Sequence, residues 1–217
     1  MTDKKSIAVF GGSGKTGQEL ISAALRKGFG VRALYRPGSE PKGASSDVQV
    51  IIGQLTEQEA VRQTLEGTQG ATVVFGPRLG RRNNPKPFCA DATARIAAEM
   101  TKLGIQRLIV QTGAMAGGDN PNWSWGVRRF VRSYRKNYPE IDKDRDAQEV
   151  ATRQSGLDWT IVRPFRISGA RGNGNPRVAH SLHVSMFSSI RRADLAEFIV
   201  NEVADGKWHR QTVYILS

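Results

Sequence analysis

A chain of 217 residues, 39% of them hydrophobic and interleaved with charge, suits one α/β domain and contains no run near the ~20 apolar residues that a membrane helix needs. Cys89 is the only cysteine, which excludes an internal disulfide and a cysteine-based zinc site. Thirty-two basic against 20 acidic residues give a formal charge of +12, a field that draws anions but does not choose among dinucleotide phosphates, an anionic substrate and nucleic acid.

Short β-rich runs alternate with stretches of helical period, the signature of βαβ units. In chain order the pattern predicts a strand at 7–10, a helix at 16–27, strands at 31–35 and 48–52, a helix at 57–65, a strand at 72–75 and a helix at 88–103. There follow a strand at 107–111, a helix at 144–155, a strand at 158–162, a helix at 192–203 and a strand at 212–215. Gly28, Gly67, Gly104 and Gly156 stand just past four of the helices, where a left-handed cap favours glycine. The expected architecture is a single-domain, doubly wound Rossmann fold over residues 1–217, with a parallel sheet and helices on both faces. Two long connections, 78–87 and 113–142, interrupt the rhythm and should border the ligand crevice at the carboxyl ends of the strands. The charged first residues lack the apolar segment of a signal peptide, so the expected location is cytoplasmic.

The first strand runs into Gly11-Gly12-Ser13-Gly14-Lys15-Thr16-Gly17 and then into a helical pattern with Leu20, Ile21, Ala24 and Leu25. Such a turn bends at Gly11, admits a pyrophosphate beside Gly14 and packs the helix through Gly17, while the first helical amides and the helix dipole hold the phosphates. Gly14-Lys15-Thr16 also resembles the end of a P-loop, but the glycine five residues earlier is missing, because Val9 stands there. Lys15 is then a cation beside the dinucleotide phosphates, or a solvated helix-start lysine. After the second strand, Arg36 occupies the place where an acidic residue would select NAD. Its planar fork suits the 2′-phosphate of NADP(H), with the Ser39 hydroxyl alongside.

Further blocks carry a resemblance. They are Gly53-Gln54-Leu55, Phe75-Gly76-Pro77-Arg78, Gln111-Thr112-Gly113, the run from Ser155-Gly156-Leu157-Asp158 through Arg163-Pro164, and Ile190-Arg191-Arg192-Ala193-Asp194-Leu195-Ala196. With the glycine turn and Arg36 they resemble the atypical short-chain dehydrogenase/reductase family, NmrA-like branch, which includes flavin and biliverdin-IXβ reductases. The resemblance implies Gln54 and Leu55 beside the adenine. It implies Gly76, Pro77, Arg78, Thr112, Gly113, Pro164, Phe165 and Arg166 around the nicotinamide. Members with full dehydrogenase chemistry use a Tyr-x-x-x-Lys pair; here those positions fall on Ile141 and Arg145, so the phenolic proton donor is missing. Arg145 is expected to hold ribose or phosphate and, with Thr112, to stand nearest the chemistry; the other reading of Arg145 is a solvated helix arginine. Reductases that pass hydride to a conjugated acceptor work without the tyrosine, because positioning supplies most of the rate.

Between the fifth strand and residue 142, Trp123, Trp125, Phe130 and Tyr134 interleave with Arg128, Arg129, Arg132, Arg135 and Lys136. Three readings remain open: an acceptor site in which Trp123, Trp125, Arg128 and Phe130 hold a flat anion, a nucleic-acid or protein contact, and an amphipathic packing helix over 127–134. His180 and His183 have no acidic or cysteine cluster with them, so no metal is expected. The leading expectation is an NADPH-dependent reductase acting on a small planar acceptor such as a flavin, quinone or tetrapyrrole. It would be a monomer or homodimer, with nucleic acid disfavoured and no membrane association. The alternative is a non-catalytic NADP(H) sensor.

Overall fold

Residues 5–41, 43, 45–77 and 86–217 are described by a computed structural model of the chain. Along β1 (Ser6–Phe10), Ile7 and Val9 face one side and Ala8 and Phe10 the other, all fully buried, so both faces of the sheet must be covered. The chain supplies the covers in turn: α1 (Lys15–Arg26), β2 (Gly30–Tyr35), β3 (Val48–Ile52), α2 (Gln58–Leu65), β4 (Gly70–Val73), α3 (Cys89–Lys102) and β5 (Arg107–Gln111). Then come α4 (Trp125–Asn137), α5 (Pro139–Gln154), β6 (Asp158–Pro164), β7 (Ile167–Ser168), β8 (Arg177–Ala179), β9 (Ile190–Arg191), α6 (Arg192–Asp205) and β10 (Gln211–Leu216).

The main sheet runs β3-β2-β1-β4-β5-β6-β10-β8, with β7 and β9 in a separate pair. Leu20, Ile21 and Ala24 of α1 and Leu195, Ile199 and Val200 of α6 pack on the face that carries Ile7, Val9, Ile109 and Val162. Val61 and Leu65 of α2 and Ile96 and Met100 of α3 cover the other face, with Ala8, Phe10, Leu108 and Val110. This is the doubly wound α/β architecture expected, and the strand order reverses between β1 and β4, where such sheets open a crevice. The expected glycine caps also stand, Gly28, Gly67, Gly104 and Gly156 all having φ near +70° to +80°.

Two expectations need correction. The sheet is not wholly parallel: β8 pairs antiparallel with β10 through Tyr214↔Ala179 and Ile215↔Val178. A three-residue strand is too short to show a period of two in the sequence. Nor is 113–142 a loop, because it contains all of α4 and the first turn of α5. The helix expected at 144–155 therefore starts at Pro139, a residue whose fixed φ suits the first helical turn. The packing-helix reading of 127–134 holds in part, in a longer helix: Val127 and Val131 of α4 are buried with Ala114, Trp123, Val184, Tyr214 and Leu216 in a third cluster, whereas Phe130, expected on the same face, is exposed and Tyr134 half-buried. Residues 78–85, most of the other long connection, lie outside the described residues.

Candidate dinucleotide site

The strand order brings the expected binding residues to one edge. Gly11, Ser13, Gly14, Lys15, Thr16 and Gly17 follow β1; Arg36 and Ser39 follow β2; Gln54 and Leu55 follow β3. On the other side of β1, Gly76 and Pro77 follow β4, Thr112 and Gly113 follow β5, and Pro164, Phe165 and Arg166 close β6 and lead out of it. Arg78 lies outside the described residues.

The glycine turn is built by close approach. Gly11 has φ +106°, and a Cβ there would stand 2.9 Å from the Phe75 backbone nitrogen across the crevice. At Gly17 a Cβ would lie 2.2 Å from the Gly11 carbonyl oxygen, so only glycine lets α1 rise this near the turn. The N-cap of α1 is Gly14, which offers no side-chain acceptor, and no acidic residue stands in the first turn. The positive end of α1 is thus left without a protein counter-group among the described residues. Arg36 is exposed and makes no ion pair among the described residues. Ser39, half-buried, closes the turn by donating from its amide (2.9 Å) and hydroxyl (2.8 Å) to the Arg36 carbonyl. Gln54 is exposed, and Leu55 packs against the α2/α3 face of the core.

α5 organises the opposite half of the edge through polar side chains. Asp144 accepts from the amides of Phe88, Cys89 and Ala90 at 3.0, 2.9 and 3.0 Å, capping α3 from another helix. Arg145 spans two strand ends: its guanidinium donates to the Phe75 carbonyl (3.3 Å), to the Gln111 carbonyl (3.4 Å) and to the Thr112 carbonyl, and is braced by Gln148 at 2.7 Å. It was expected on ribose or phosphate; much of its donor capacity is instead taken by backbone left unpaired where β4 and β5 end. Thr112 also differs from expectation, since it is buried and its hydroxyl donates to Glu149 at 2.8 Å. Gly113 has open space above it: a Cβ placed there would find its nearest atom, the Pro164 oxygen, at 3.9 Å.

Glu149, wholly buried, is the centre of this network. Arg163 grips it through two nitrogens, Arg153 adds a third contact, and Arg163 reaches on to the Tyr214 hydroxyl at 3.2 Å. Burial alone would raise the Glu149 carboxyl, but the hydrogen bonds and charge of Arg163, helped by Thr112 and Arg153, outweigh it and hold the group below the usual glutamate range. Cys89 is the reverse case: burial pushes its thiol up to about 12 despite Arg145 nearby. Sequence reasoning missed Glu149, Asp144 and Gln148. A signal existed, in that a helix with one strongly apolar residue in its first half, Ile141, still carries a periodic row at 141, 144, 145, 148, 149 and 152. Gln111 stands out in the sequence only as part of a motif; its Oε1 is buried without a hydrogen-bond partner among the described residues, at the carboxyl end of β5. By alternation with Ile109 its side chain belongs to the face on which α1 and α6 pack.

The acceptor residues separate. Trp123 is 3% exposed and packs in the third cluster, and Arg128 donates to the carbonyls of Trp123 (3.0 Å) and Pro121 (2.7 Å), so both hold the start of α4 in place. Phe130 is exposed and meets Phe165 edge-on at 6.5 Å, which leaves it near the end of β6. Trp125 stands in solvent beneath Arg129.

Comparison with known proteins shows the family and the fold. The profile of an NAD(P)H-binding family matches residues 11–206, from the glycine turn to the end of α6. The chain belongs to this NAD(P)H-binding family. It is 29% identical over 169 residues to sterol demethylase protein B of Methylococcus capsulatus, an alignment covering 74% of this chain and 51% of that protein. The chain spans about half the length of the relatives it matches by sequence. Among solved structures, the anaerobilin reductase ChuY of Escherichia coli O157:H7 superposes with a TM-score of 0.76 at 19% identity, covering 97% of this chain and 96% of that one. A short-chain dehydrogenase/reductase of Veillonella parvula in complex with NADP gives 0.75 at 16% identity, over 97% and 94%.

Proposed function

We propose that the protein is an NADPH-dependent reductase of the atypical short-chain dehydrogenase/reductase type, NmrA-like branch, that passes hydride to a planar conjugated acceptor. The observation that carries this reading is the burial of Ile141, 1% exposed, at the position where the resemblance puts a phenolic acid. The edge fits the cofactor: an uncapped α1 terminus, a turn whose glycines would be filled by any Cβ, a guanidinium at Arg36 with no ion pair among the described residues, and an orphaned Gln111 acceptor. When bound, the dinucleotide supplies the hydride. Amides of Ser13 to Thr16 hold the diphosphate and Arg36 the 2′-phosphate, with Ser39 fixing the turn that carries Arg36, while Gln54 and Leu55 border the adenine. Gly76, Pro77, Arg78, Gly113, Pro164, Phe165 and Arg166 border the nicotinamide half. Arg145 is a positioning residue, fixing the ends of β4 and β5, and protons come from solvent or from the acceptor.

Steady NADPH oxidation with a member of a panel of flavins, quinones and tetrapyrroles is the expected result; tight NADPH binding with no turnover on any would reject it. Specificity has its own test. Arg36→Asp should weaken NADPH binding by about 10- to 100-fold, the range for losing hydrogen bonds to a charged group, and leave NADH binding within a few-fold. Equal losses for the two would remove Arg36 from the site.

One observation favours the sensor reading as well. The Thr112 hydroxyl is given to Glu149, which leaves no hydroxyl at that strand end for proton transfer. Sensing requires different affinities for NADP+ and NADPH and a partner whose binding follows that difference; equal affinities with no response in any partner would exclude it.

A further inference from the structure

The outer side of α4 and the turn that packs against its start form a feature that the dinucleotide edge does not use. At 100° per residue, Trp125, Arg129, Arg132 and Lys136 fall within an arc of about 60° on the solvent side of α4, opposite the buried Val127 and Val131. The acidic groups nearby are engaged elsewhere, Asp119 and Asp142 with Arg135 and Glu140 with Lys143. Arg129, Arg132 and Lys136 pair with no carboxylate among the described residues. Beside the head of this cationic stripe stands a tight turn. The Ser188 amide donates to the Ser185 carbonyl at 3.0 Å, and the Ser185 amide donates to the Ser188 hydroxyl at 2.9 Å, which places Met186 and Phe187 at the tip. The turn is locked to the helix start by Ser124 N–H to Val184 O (2.9 Å) and Val184 N–H to Asn122 O (3.1 Å), and Met186 Cγ lies 3.2 Å from where a Gly126 Cβ would stand. Phe187 is 88% exposed, Trp125 76% and Met186 40%.

We propose that this tip and stripe dock the protein on the surface of an anionic lipid bilayer, Trp125, Met186 and Phe187 entering the interface while Arg129, Arg132 and Lys136 meet the headgroups. Exposure decides against the other occupants. A small acceptor needs a concave site that buries most of it, and rings this open enclose nothing. Single-stranded nucleic acid is held in grooves lined by stacking rings, whereas these side chains protrude. A two-fold contact with a second copy would set the same unpaired cations against each other. A bilayer surface accepts all the parts at once: amphipathic aromatic and apolar side chains at the headgroup boundary and cations beside anionic lipid. Surface docking needs no spanning helix, and no described helix is long and apolar enough to cross a membrane. The expectation of no membrane association rests on the absence of a long apolar run, which does not bear on a surface whose exposed tip and stripe meet only in the fold.

The test is sedimentation with vesicles of phosphatidylcholine alone and of an equal mixture with phosphatidylglycerol. Binding to the mixed vesicles should exceed binding to phosphatidylcholine by on the order of a hundredfold, since each basic side chain near the surface adds roughly 1 kcal/mol. Phe187→Ser should weaken it about tenfold, from the loss of one buried apolar side chain, without changing the melting temperature of so exposed a site. The triple variant R129E/R132E/K136E should lose it, and K5E/K27E/K207E, with the same change in net charge on exposed lysines elsewhere, should lose far less. Equal loss in both triple variants would mean bulk charge only and overturn the proposal. Trp123 and Trp159 are buried and Trp208 half-buried, so a blue shift of tryptophan emission on the vesicles should come from Trp125 and vanish in Trp125→Phe while binding persists. No vesicle binding, a dimer dissociated by Phe187→Ser, or an oligonucleotide complex lost with Phe187→Ser would each overturn it. None of these readouts involves the dinucleotide, so this proposal and the reductase reading fail separately.

Discussion

Glu149→Ala is expected to lower the melting temperature by on the order of 10 °C, taking about 3–5 kcal/mol for a broken buried ion pair and roughly 2–4 °C per kcal/mol in a domain of this size. The reason is what the substitution leaves behind. Arg163 is buried and holds Glu149 through two nitrogens, so truncation strands a guanidinium away from water. The same loss removes the acceptor of the Thr112 hydroxyl. A double replacement, Glu149→Leu with Arg163→Met, should recover most of the stability, because a buried pair is often no better than well-packed apolar side chains. If Glu149→Ala melted with the wild type, the network would be ornamental. The pH dependence follows from the depressed carboxyl. Its folded value lies below its unfolded value of about 4.3, so the contribution is fully present above that pH and is lost as the pH falls through the folded value. Glu149→Gln should therefore flatten the acid limb of the stability curve below about pH 4 and leave its neutral slope alone.

Gly17→Ala should abolish measurable binding of the dinucleotide, a loss of about a hundredfold or more, while the protein still folds. Two effects of opposite sign compete for stability. Alanine in a helix gains about 1 kcal/mol over glycine, and an overpacked contact costs about 1–3 kcal/mol, so a net loss of up to about 2 kcal/mol still leaves a folded protein. Binding has no such offset. The new Cβ would meet Gly11 O at 2.2 Å and Gly11 C and Gly12 Cα at 2.8 Å, all backbone, with no side chain free to swing away. The helix must retreat, and its first amides leave the positions that face a diphosphate. Isothermal titration with NADPH measures this directly; wild-type affinity in Gly17→Ala would show that the turn holds no phosphate.

These two residues differ in legibility. Gly17 could be read in advance because a strand, a turn and an amphipathic helix are local patterns, and glycine at that spacing has few other uses. Glu149 is less legible: the periodic row of α5 marks a packed face and Arg153 stands one turn away, but the partners that bury the carboxylate, Thr112 and Arg163, sit at the ends of β5 and β6. Trp123 erred in the opposite direction. Set among arginines it looked like a surface ring, and its burial depends on Val184 and Leu216, far along the chain. The first turn of α5 is illegible for a related reason, since it has one strongly apolar residue, Ile141, and its Asp142 pairs with Arg135 of α4.

The sequence by itself determined the alternation of buried strands and amphipathic helices, the positive-φ glycines that end them, and the turn with Arg36 at the next strand end. Each is set by the steric and hydrophobic preferences of residues within a few positions of one another. Only the tertiary structure decided that α5 would cap α3 and tie β4 to β5 and β6 through Asp144, Arg145 and Glu149. The same holds for the Ser185–Ser188 turn, which meets α4 from far along the chain. Local periodicity marks a packed face without naming its partners, because the burial of a polar group is settled by whichever chain segments fold against it.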